Sequence, residues 1–436
     1  MYPIYMHVFF SGIGGSGIGP LALIAKQAGY EVSGSDAKDS PYINYLRTKG
    51  INDIYIGQTA EQIAELHSKN PIDWFVYSSA LPRDNPNHPE LVFCQQNNIK
   101  ATLRDELLNQ IVKDRRLDII AVAGTHGKTT TTAMSIWLFK QLQIPVSYSV
   151  GAKISFGDMG EFDPASRYFI YEADEFDRNF LSFYPEVALI TGIDWDHPDI
   201  YPTRESYYEA FNEFIGQSQH SVLWHDDAEK LGLDADENLT ILDDKDPQID
   251  ERIKLPGRVN RLDAWLVAQG LGPLVDKSPD EIIAKLDQFP GVSRRFEQLL
   301  PNLYTDYAHT PPKIRGALQL AQEVAGNNVV VVYEGLHNTR QHFIKNELAS
   351  LFDDVKQVYV VPSYLAREDK DLELLTPQKM LDLLSNSARS HASAAELNDE
   401  LVENIKKHTD QGDLVLSLSA GGSGSLDEWL RQKFPS

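Results

Sequence analysis

Residues 117–123, Leu-Asp-Ile-Ile-Ala-Val-Ala, are a short apolar run that leads directly into Gly124-Thr125-His126-Gly127-Lys128-Thr129-Thr130. A stretch at 129–142 that reads as a helix follows. Strand, glycine-bearing turn and helix in this order make a phosphate-binding loop. The backbone N–H groups cradle phosphates, the lysine neutralises the outer ones, and the hydroxyl after it can ligate Mg²⁺. The loop departs from the long form of its consensus in one place, Val122 standing where the first glycine would fall. A chain built on this unit must form a parallel sheet, because a strand followed by a crossover helix returns to the same sheet in the same direction.

A second glycine loop precedes it. Residues 5–11 read as a buried strand, Gly12-Ile13-Gly14-Gly15-Ser16-Gly17 as a turn, and 20–28 as a helix. Such glycines permit a tight turn and close approach of a diphosphate, whose charge then meets the helix N-terminus. Asp36 closes the next strand, 30–36, where a ribose-binding acid often lies. By itself this pattern also fits a nicotinamide oxidoreductase, or glycines that serve only strand–helix packing. A dehydrogenase has no use for a second phosphate loop, whereas a ligase that brings ATP to a nucleotide-carrying substrate needs both.

The same strand–helix rhythm runs through the chain. In the first unit 73–80 reads as a strand, with helices near 88–97 and 103–113. In the second, strands recur at 167–173, 187–193 and 221–225, and the acidic stretch 226–251 reads as loop-rich. In the third, strands at 329–334, 358–363 and 414–419 alternate with helices near 312–325, 341–352, 377–386 and 395–407. The expectation is an α/β protein of three domains: 1–114, Rossmann-like; 115–293, P-loop ATPase-like with a parallel sheet; and 294–436, small and Rossmann-like. At 436 residues the chain is long enough for this.

Two acidic segments fall at strand ends, where open parallel sheets bind ligands. Glu172-Ala173-Asp174-Glu175 ends one apolar strand and Asp194-Trp195-Asp196-His197 the next. A carboxylate there can bind Mg²⁺ held by nucleotide phosphates. The formal net charge of −23 disfavours nucleic acid and anionic lipid as general partners, so a phosphorylated substrate must be held by local devices. Cys94 is the only cysteine, which leaves no disulfide framework. No apolar stretch reaches spanning length, and Met1 to Phe10 shows no secretion-signal pattern. The expectation is a cytoplasmic protein without membrane insertion.

With these segments in hand, the chain resembles the Mur ligase family. The two glycine loops, Ser78-Ser79-Ala80 with Asn85-Pro86, the two acidic segments, Arg294-Arg295-Phe296-Glu297 and Asp306-Tyr307-Ala308-His309 follow one another in the family's order. The resemblance implies an ATP-dependent ligase of peptidoglycan precursor synthesis, with ATP and Mg²⁺ as cofactors, and is strongest to the branch that joins L-alanine to the carboxylate of UDP-N-acetylmuramate. It implies an acyl phosphate formed by attack of that carboxylate on the γ-phosphate, then attack by the alanine amine. By motif position, Gly12, Gly14, Gly15, Ser16, Gly17, Asp36, Ser78, Ser79 and Asn85 would hold the UDP-sugar. Gly124, Thr125, His126, Gly127, Lys128, Thr129, Thr130, Asn260, Arg295 and Asp306 would bind ATP. Lys128, Glu172 and His197 would be catalytic, with Thr129, Glu172 and His197 at Mg²⁺.

The sequence departs from the family's pattern in three places. Gly192 stands where asparagine is usual before Ile193-Asp194. Val259-Asn260 and Asp263 stand where the adenine-side motif has His-Asn and a later Asn. Leu336 and His337 occupy the place of a His-Arg pair, leaving His337 and Arg340 as the candidate acceptor residues. Glu334 with Asn338-Thr339 is similar to the muropeptide-recycling branch, which attaches a tripeptide. A nucleotide-binding regulator that has lost ligation is a further alternative, against which the retained Lys128, Glu172 and His197 weigh.

Overall fold

In a computed structural model the chain forms three sheets; residues 6–197, 200–365, 368–369, 371–435 are described. Tyr5, expected to open the first strand, lies outside them. The first sheet comprises β1 (His7–Ser11), β2 (Glu31–Asp36), β3 (Ile54–Ile56), β4 (Trp74–Tyr77) and β5 (Lys100–Leu103), all parallel, in the order β3-β2-β1-β4-β5. Every residue of β1 is buried, as a central strand covered on both faces requires. The order reverses at β1, so the loop after β1 opens at a topological switch point.

The second sheet is built from β6 (Asp118–Ala123), β7 (Val146–Ser149), β8 (Gly160–Glu161), β9 (Tyr168–Glu172), β10 (Val187–Ile190), β11 (His220–Trp224) and β12 (Leu239–Leu242). Its order is β12-β11-β10-β6-β9-β7-β8, parallel except for the edge pair β7–β8. β6 lies between β9 and β10, so the residues following these three strands meet at one edge. The helix Lys128–Gln141 leaves β6 after the glycine turn, and the left-handed Gly127 (φ 78°) makes that turn. The third sheet holds β13 (Glu297–Leu300), β14 (Leu303–Asp306), β15 (Val329–Leu336), β16 (Gln357–Tyr364), β17 (Ala392–Ala394) and β18 (Leu414–Leu418), in the order β13-β14-β18-β15-β16-β17. The third sheet is parallel except at one edge, where β13 pairs antiparallel with β14 across a short turn.

The stretch 226–251 is not loop-rich. It carries the helix His225–Leu231, β12 and the helix Gln248–Arg252. Two of its acidic residues, Asp226 and Asp227, lie in the first turn of that helix, where the helix dipole favours negative charge, and Gly232 closes the other end in the left-handed region. The strand expected at 73–80 ends at Tyr77, and Ala80–Asp84 is a short helix.

By compactness the chain divides into two units. One comprises Met1–Ile253 with Asp263–Phe289 and contains the first two sheets; the other comprises Lys254–Leu262 with Pro290–Ser436 and contains the third. Within the former, the helix Gly19–Gln27 packs against β8, and the Phe162 N–H donates to Gln27 Oε1 at 2.7 Å. Lys49 and Tyr45 both reach Asp158, the lysine at 3.0 Å. One apolar cluster runs from Phe10 and Leu23 through Leu108 to Phe169 and Phe211. Each fully buried side chain of that size contributes about 1.5–3 kcal/mol. The cluster therefore fixes the two glycine loops relative to each other.

Candidate active site

The phosphate loop of the second sheet is held by bonds among its neighbours. The Thr125 hydroxyl donates to Asp194 O at 2.7 Å and lies 2.8 Å from the Tyr207 hydroxyl. Its N–H donates to Gly192 O at 2.8 Å. Gly192 adopts φ 153°, a conformation that side-chain-bearing residues rarely take. A glycine at this departure from the family pattern is thus a conformational requirement of the strand end beside Gly124. The Thr191 hydroxyl donates to the carbonyl of His126, whose ring lies 3.7 Å from Asp194.

Lys128 begins the helix. Its ammonium donates to Gly124 O at 2.6 Å and to Glu175 Oε2 at 2.6 Å. Glu175 is 1% exposed. Burial works against the charged ammonium, but Glu175, with Asp174 and Glu172, outweighs it and holds the lysine above its ordinary pKa. The lysine is therefore charged at neutral pH and stationed at the loop. Thr129 donates to Glu172 Oε1 at 2.8 Å, and Glu172 Oε2 accepts the Gly151 N–H at 2.7 Å. The His197 ring is 3.8 Å from Glu175 Oε1 and packs edge-on against Phe176. Thr130 follows on the same helix turn. Lys128, Thr129, Glu172 and His197 are thus gathered around Glu175 and the loop.

The first glycine loop sits at the carboxyl end of β1. The N–H groups of Gly12 and Ile13 both donate to Ser35 O. Asp36 turns into the loop: its Oδ2 accepts the Gly14 N–H at 2.9 Å. Gly15 donates to Gly12 O at 3.0 Å. Ser78 and Ser79 follow β4 at the same edge; Asn85 caps the end of the short helix and accepts the Asn87 N–H at 3.1 Å. Ser16 and Gly17 line a cleft of about 240 Å³ that is also lined by Arg104, Lys128, Glu172 and Asp174.

In the other unit, Asn260 donates to Pro256 O at 2.8 Å. Asp306 accepts the N–H groups of Phe296 and Ala308, at 2.8 and 2.7 Å, tying two turns together. Arg295 stacks on Tyr307, its guanidinium 4.9 Å from the ring centroid. His337 has φ 58° and lies 3.6 Å from Glu368; Arg340 is on the helix Asn338–Leu348 that it precedes. Glu334 is buried and bonded to Ser419 Oγ and the Leu426 N–H. Asn338 accepts the Leu375 N–H, and the Thr339 N–H donates to Glu368. These three residues hold the fold together.

Two residues of the cleft region were not among the expected site residues. Glu175 belongs to the quoted acidic segment but lies past the end of β9, where strand alternation no longer marks which side chain is buried. Arg104 follows β5 directly, and only its place at a strand's carboxyl end marks it.

A phosphate loop with a stationed lysine, facing a second glycine loop across one cleft, defines a nucleotide-using enzyme of the multidomain α/β class. Residues 7–116 match the Mur ligase family, catalytic domain; residues 122–242 the Mur ligase middle domain; and residues 294–421 the Mur ligase, glutamate ligase domain. A UDP-N-acetylmuramate–L-alanine ligase of Clostridium perfringens is 29% identical over 452 residues, covering 95% of each chain. One of Paenarthrobacter aurescens is 32% identical over 451 residues, 95% of this chain and 94% of that one. The crystal structure of UDP-N-acetylmuramate-alanine ligase from Thermotoga maritima covers 98% of both chains with a TM-score of 0.75 at 24% identity, a likeness of fold. The chain belongs to the Mur ligase family. It is an ATP-dependent amide ligase of peptidoglycan biosynthesis, which sets aside the oxidoreductase and regulator alternatives. Among the described residues no helix is long and apolar enough to cross a membrane.

Proposed function

We propose that this chain joins L-alanine to the carboxylate of UDP-N-acetylmuramate in the cytoplasm, with ATP converted to ADP and phosphate. The observation that carries the reading is the shared cleft: Ser16 and Gly17 of one glycine loop line it together with Lys128 of the other and Glu172 at the end of β9. An acid carried on a nucleotide and the terminal phosphate of ATP can meet there. Further support comes from the relatives of that name, similar over nearly the whole length. The domains that perform these tasks are 1–114 for the UDP-sugar, 115–293 for ATP and 294–436 for the amino acid.

In this reading the Lys128 ammonium stabilises charge as the sugar's carboxylate oxygen bonds to the γ-phosphorus and the bond to ADP breaks. Preorganised charge is the main contribution a protein makes to phosphoryl transfer. The neutral amine of alanine then bonds to the acyl carbon, phosphate leaves, and the nitrogen gives up one proton and keeps the other as the amide N–H. Thr129 and Glu172 present two oxygens 2.8 Å apart beside the lysine. Hard oxygen donors, one or two in number, suit Mg²⁺, which fills its remaining positions with waters and phosphates. Thr129, Glu172 and His197 would hold the ion, which supplies further neutralisation of phosphate charge. Arg340, with His337, is assigned to the carboxylate of the acceptor, since arginine offers a two-pronged cationic clamp.

Phosphate release from ATP, measured with UDP-N-acetylmuramate and each of L-alanine, glycine, L-serine and tripeptide, tests the proposal. L-Alanine is expected to give the highest turnover. Efficient use of tripeptide with none of free L-alanine would replace this reading by the recycling one. Glu172→Gln is expected to raise the Mg²⁺ concentration needed for half-maximal turnover; a titration that overlays the parent's removes Glu172 from the metal site.

A further inference from the structure

Arg104 has no place in the chemistry described so far. It is the first residue of the helix Arg104–Arg115, directly after β5, at the ligand-binding edge of the first sheet. Its side chain is 27% exposed and lines the cleft. Among the described residues its guanidinium makes no hydrogen bond: Asp105 Oδ1 is 3.6 Å away and Asp174 Oδ2 3.8 Å. Asp105 Oδ1 is itself buried without a hydrogen-bond partner. A guanidinium that lines the cleft with donors not engaged in hydrogen bonds can take up a ligand's oxygens, and an arginine fork is shaped for a planar or tetrahedral oxyanion.

Two further observations bear on it. A Cβ added at Gly17 would overlap the guanidinium, so the last glycine of the first loop is what lets Arg104 lie against that loop. The cleft is also poor in positive charge. Among the described residues Arg104 and Lys128 are its only cationic lining residues, against Asp105, Glu172 and Asp174. Lys128 is bound to Glu175 at the ATP loop. The first glycine loop carries no cation of its own, in a chain whose net charge is −23. An anionic nucleotide sugar approaching that loop needs one.

We propose that Arg104 binds an oxyanion of the acid-carrying nucleotide sugar in the cleft between the two glycine loops. The assignment rests on the proposed substrate and adds a binding residue to it. The oxyanion is either the diphosphate or the sugar's carboxylate; both present oxygens to the same fork. The fixed cation orients the acid end of the substrate toward the ATP loop without taking part in bond making.

Calorimetric titration of the full chain and of Arg104→Gln and Arg104→Lys tests this. The probes are UDP-N-acetylmuramate, UDP-N-acetylglucosamine (the same nucleotide sugar without the carboxylate arm) and ATP. Arg104→Gln is expected to weaken UDP-N-acetylmuramate binding about 10- to 100-fold, the loss typical of one charged hydrogen-bonding group. Arg104→Lys should recover part of the loss, and ATP affinity and melting temperature should hold. A parallel loss for UDP-N-acetylglucosamine identifies the diphosphate as the bound group; a loss confined to the muramate identifies the carboxylate. Unchanged affinity for UDP-N-acetylmuramate, or a loss shared equally by ATP, overturns the assignment. If the unaltered chain binds ATP but neither sugar, the substrate reading itself falls, and the Arg104 assignment with it.

Discussion

The two glycine loops share a plan and differ in how each is backed. Both follow a central parallel strand and open a helix at the ligand edge of a sheet. The loop after β6 carries its own cation, Lys128, stationed by the buried Glu175. The loop after β1 has none, and the nearby Arg104 comes from the end of a different strand. Each loop also has an aspartate behind it, treated in opposite ways. Asp36 accepts a loop N–H, whereas Asp263 is 4% exposed and its Oδ2 has no hydrogen-bond partner among the described residues. The difference matches the tasks proposed for the two loops. A loop that handles a transferring phosphoryl group needs charge fixed in place before reaction; a loop that only holds a diphosphate needs backbone donors and one neighbouring cation.

Removing the stationed charge should have the largest effect. Lys128→Ala is expected to lower turnover about a thousandfold, roughly 4 kcal/mol, as when a preorganised charge-stabilising group is deleted. UDP-N-acetylmuramate binding, measured by calorimetry, should stay within a few-fold of the parent. Near-normal turnover in that variant would erase the distinction between the loops.

The backbone offers a sharper contrast. Gly12 and Gly124 both have positive φ, at 78° and 135°. A Cβ at Gly12 meets nothing within 4 Å, whereas one at Gly124 would overlap Thr191 Oγ1 and approach Gly192 O to 2.9 Å. Gly12→Ala should cost about 1 kcal/mol of stability, the conformational penalty alone. Gly124→Ala should cost about 3 kcal/mol or more, because a backbone contact must also move. Equal shifts in urea midpoint would show that the second loop is no more tightly enclosed than the first.

What the sequence revealed follows the range of the interactions involved. The loop at 124–130 was legible because strand, turn and helix are contiguous, and so was the loop at 12–17. Glu175 and Arg104 were harder, since each acts on a group brought near by a different strand: Glu175 lies 47 residues from Lys128. Asp36, expected at a ribose, also accepts the Gly14 N–H, a contact set by the register of β1 against β2 that the sequence does not show. β3 has three residues, too few to show alternation. The helix His225–Leu231 was hidden because its seven residues are too few to show a period, and the acids of its first turn made the stretch read as loop-rich.

Asp263 should show itself in the pH dependence of stability. Burial pushes its carboxyl up to about 8, whereas the unfolded chain titrates it near pH 4. Between those values the unfolded state releases the proton and the folded state keeps it. The protonated group's contribution is therefore complete below about pH 4 and is lost as pH rises toward 8, at no more than about 1.4 kcal/mol per pH unit. Asp263→Asn removes this titration. Its stability profile from pH 4 to 8 is expected to be flatter than the parent's, with the variant roughly 2 kcal/mol ahead at pH 7 relative to its deficit or parity at pH 4. Parallel profiles in chemical unfolding would place Asp263 in contact with water or a partner.

The smallest effect belongs to Asp36. Its two carboxylate oxygens accept the N–H groups of Gly14 and Lys38, at 2.9 and 3.2 Å. A Cβ at Gly14 would lie 2.9 Å from Asp36 Oδ2, so the aspartate and the bare glycine backbone fit one another. In this arrangement Asp36 shapes the loop, and its effect on substrate is expected to pass through Gly14. Asp36→Ala removes an acceptor from a partly buried N–H and is expected to cost about 1 kcal/mol of stability. UDP-N-acetylmuramate affinity should fall by less than about tenfold, in step with the stability change, because the same loop geometry sets both. ATP affinity should be unmoved, since the second loop is held by Thr125, Thr191 and Glu175 independently. The alternative makes a different pattern. If Asp36 gripped ribose hydroxyls instead, the substitution would weaken sugar-nucleotide binding without shifting the melting temperature. Measuring both quantities on the one variant separates a residue that builds the loop from one that touches the ligand.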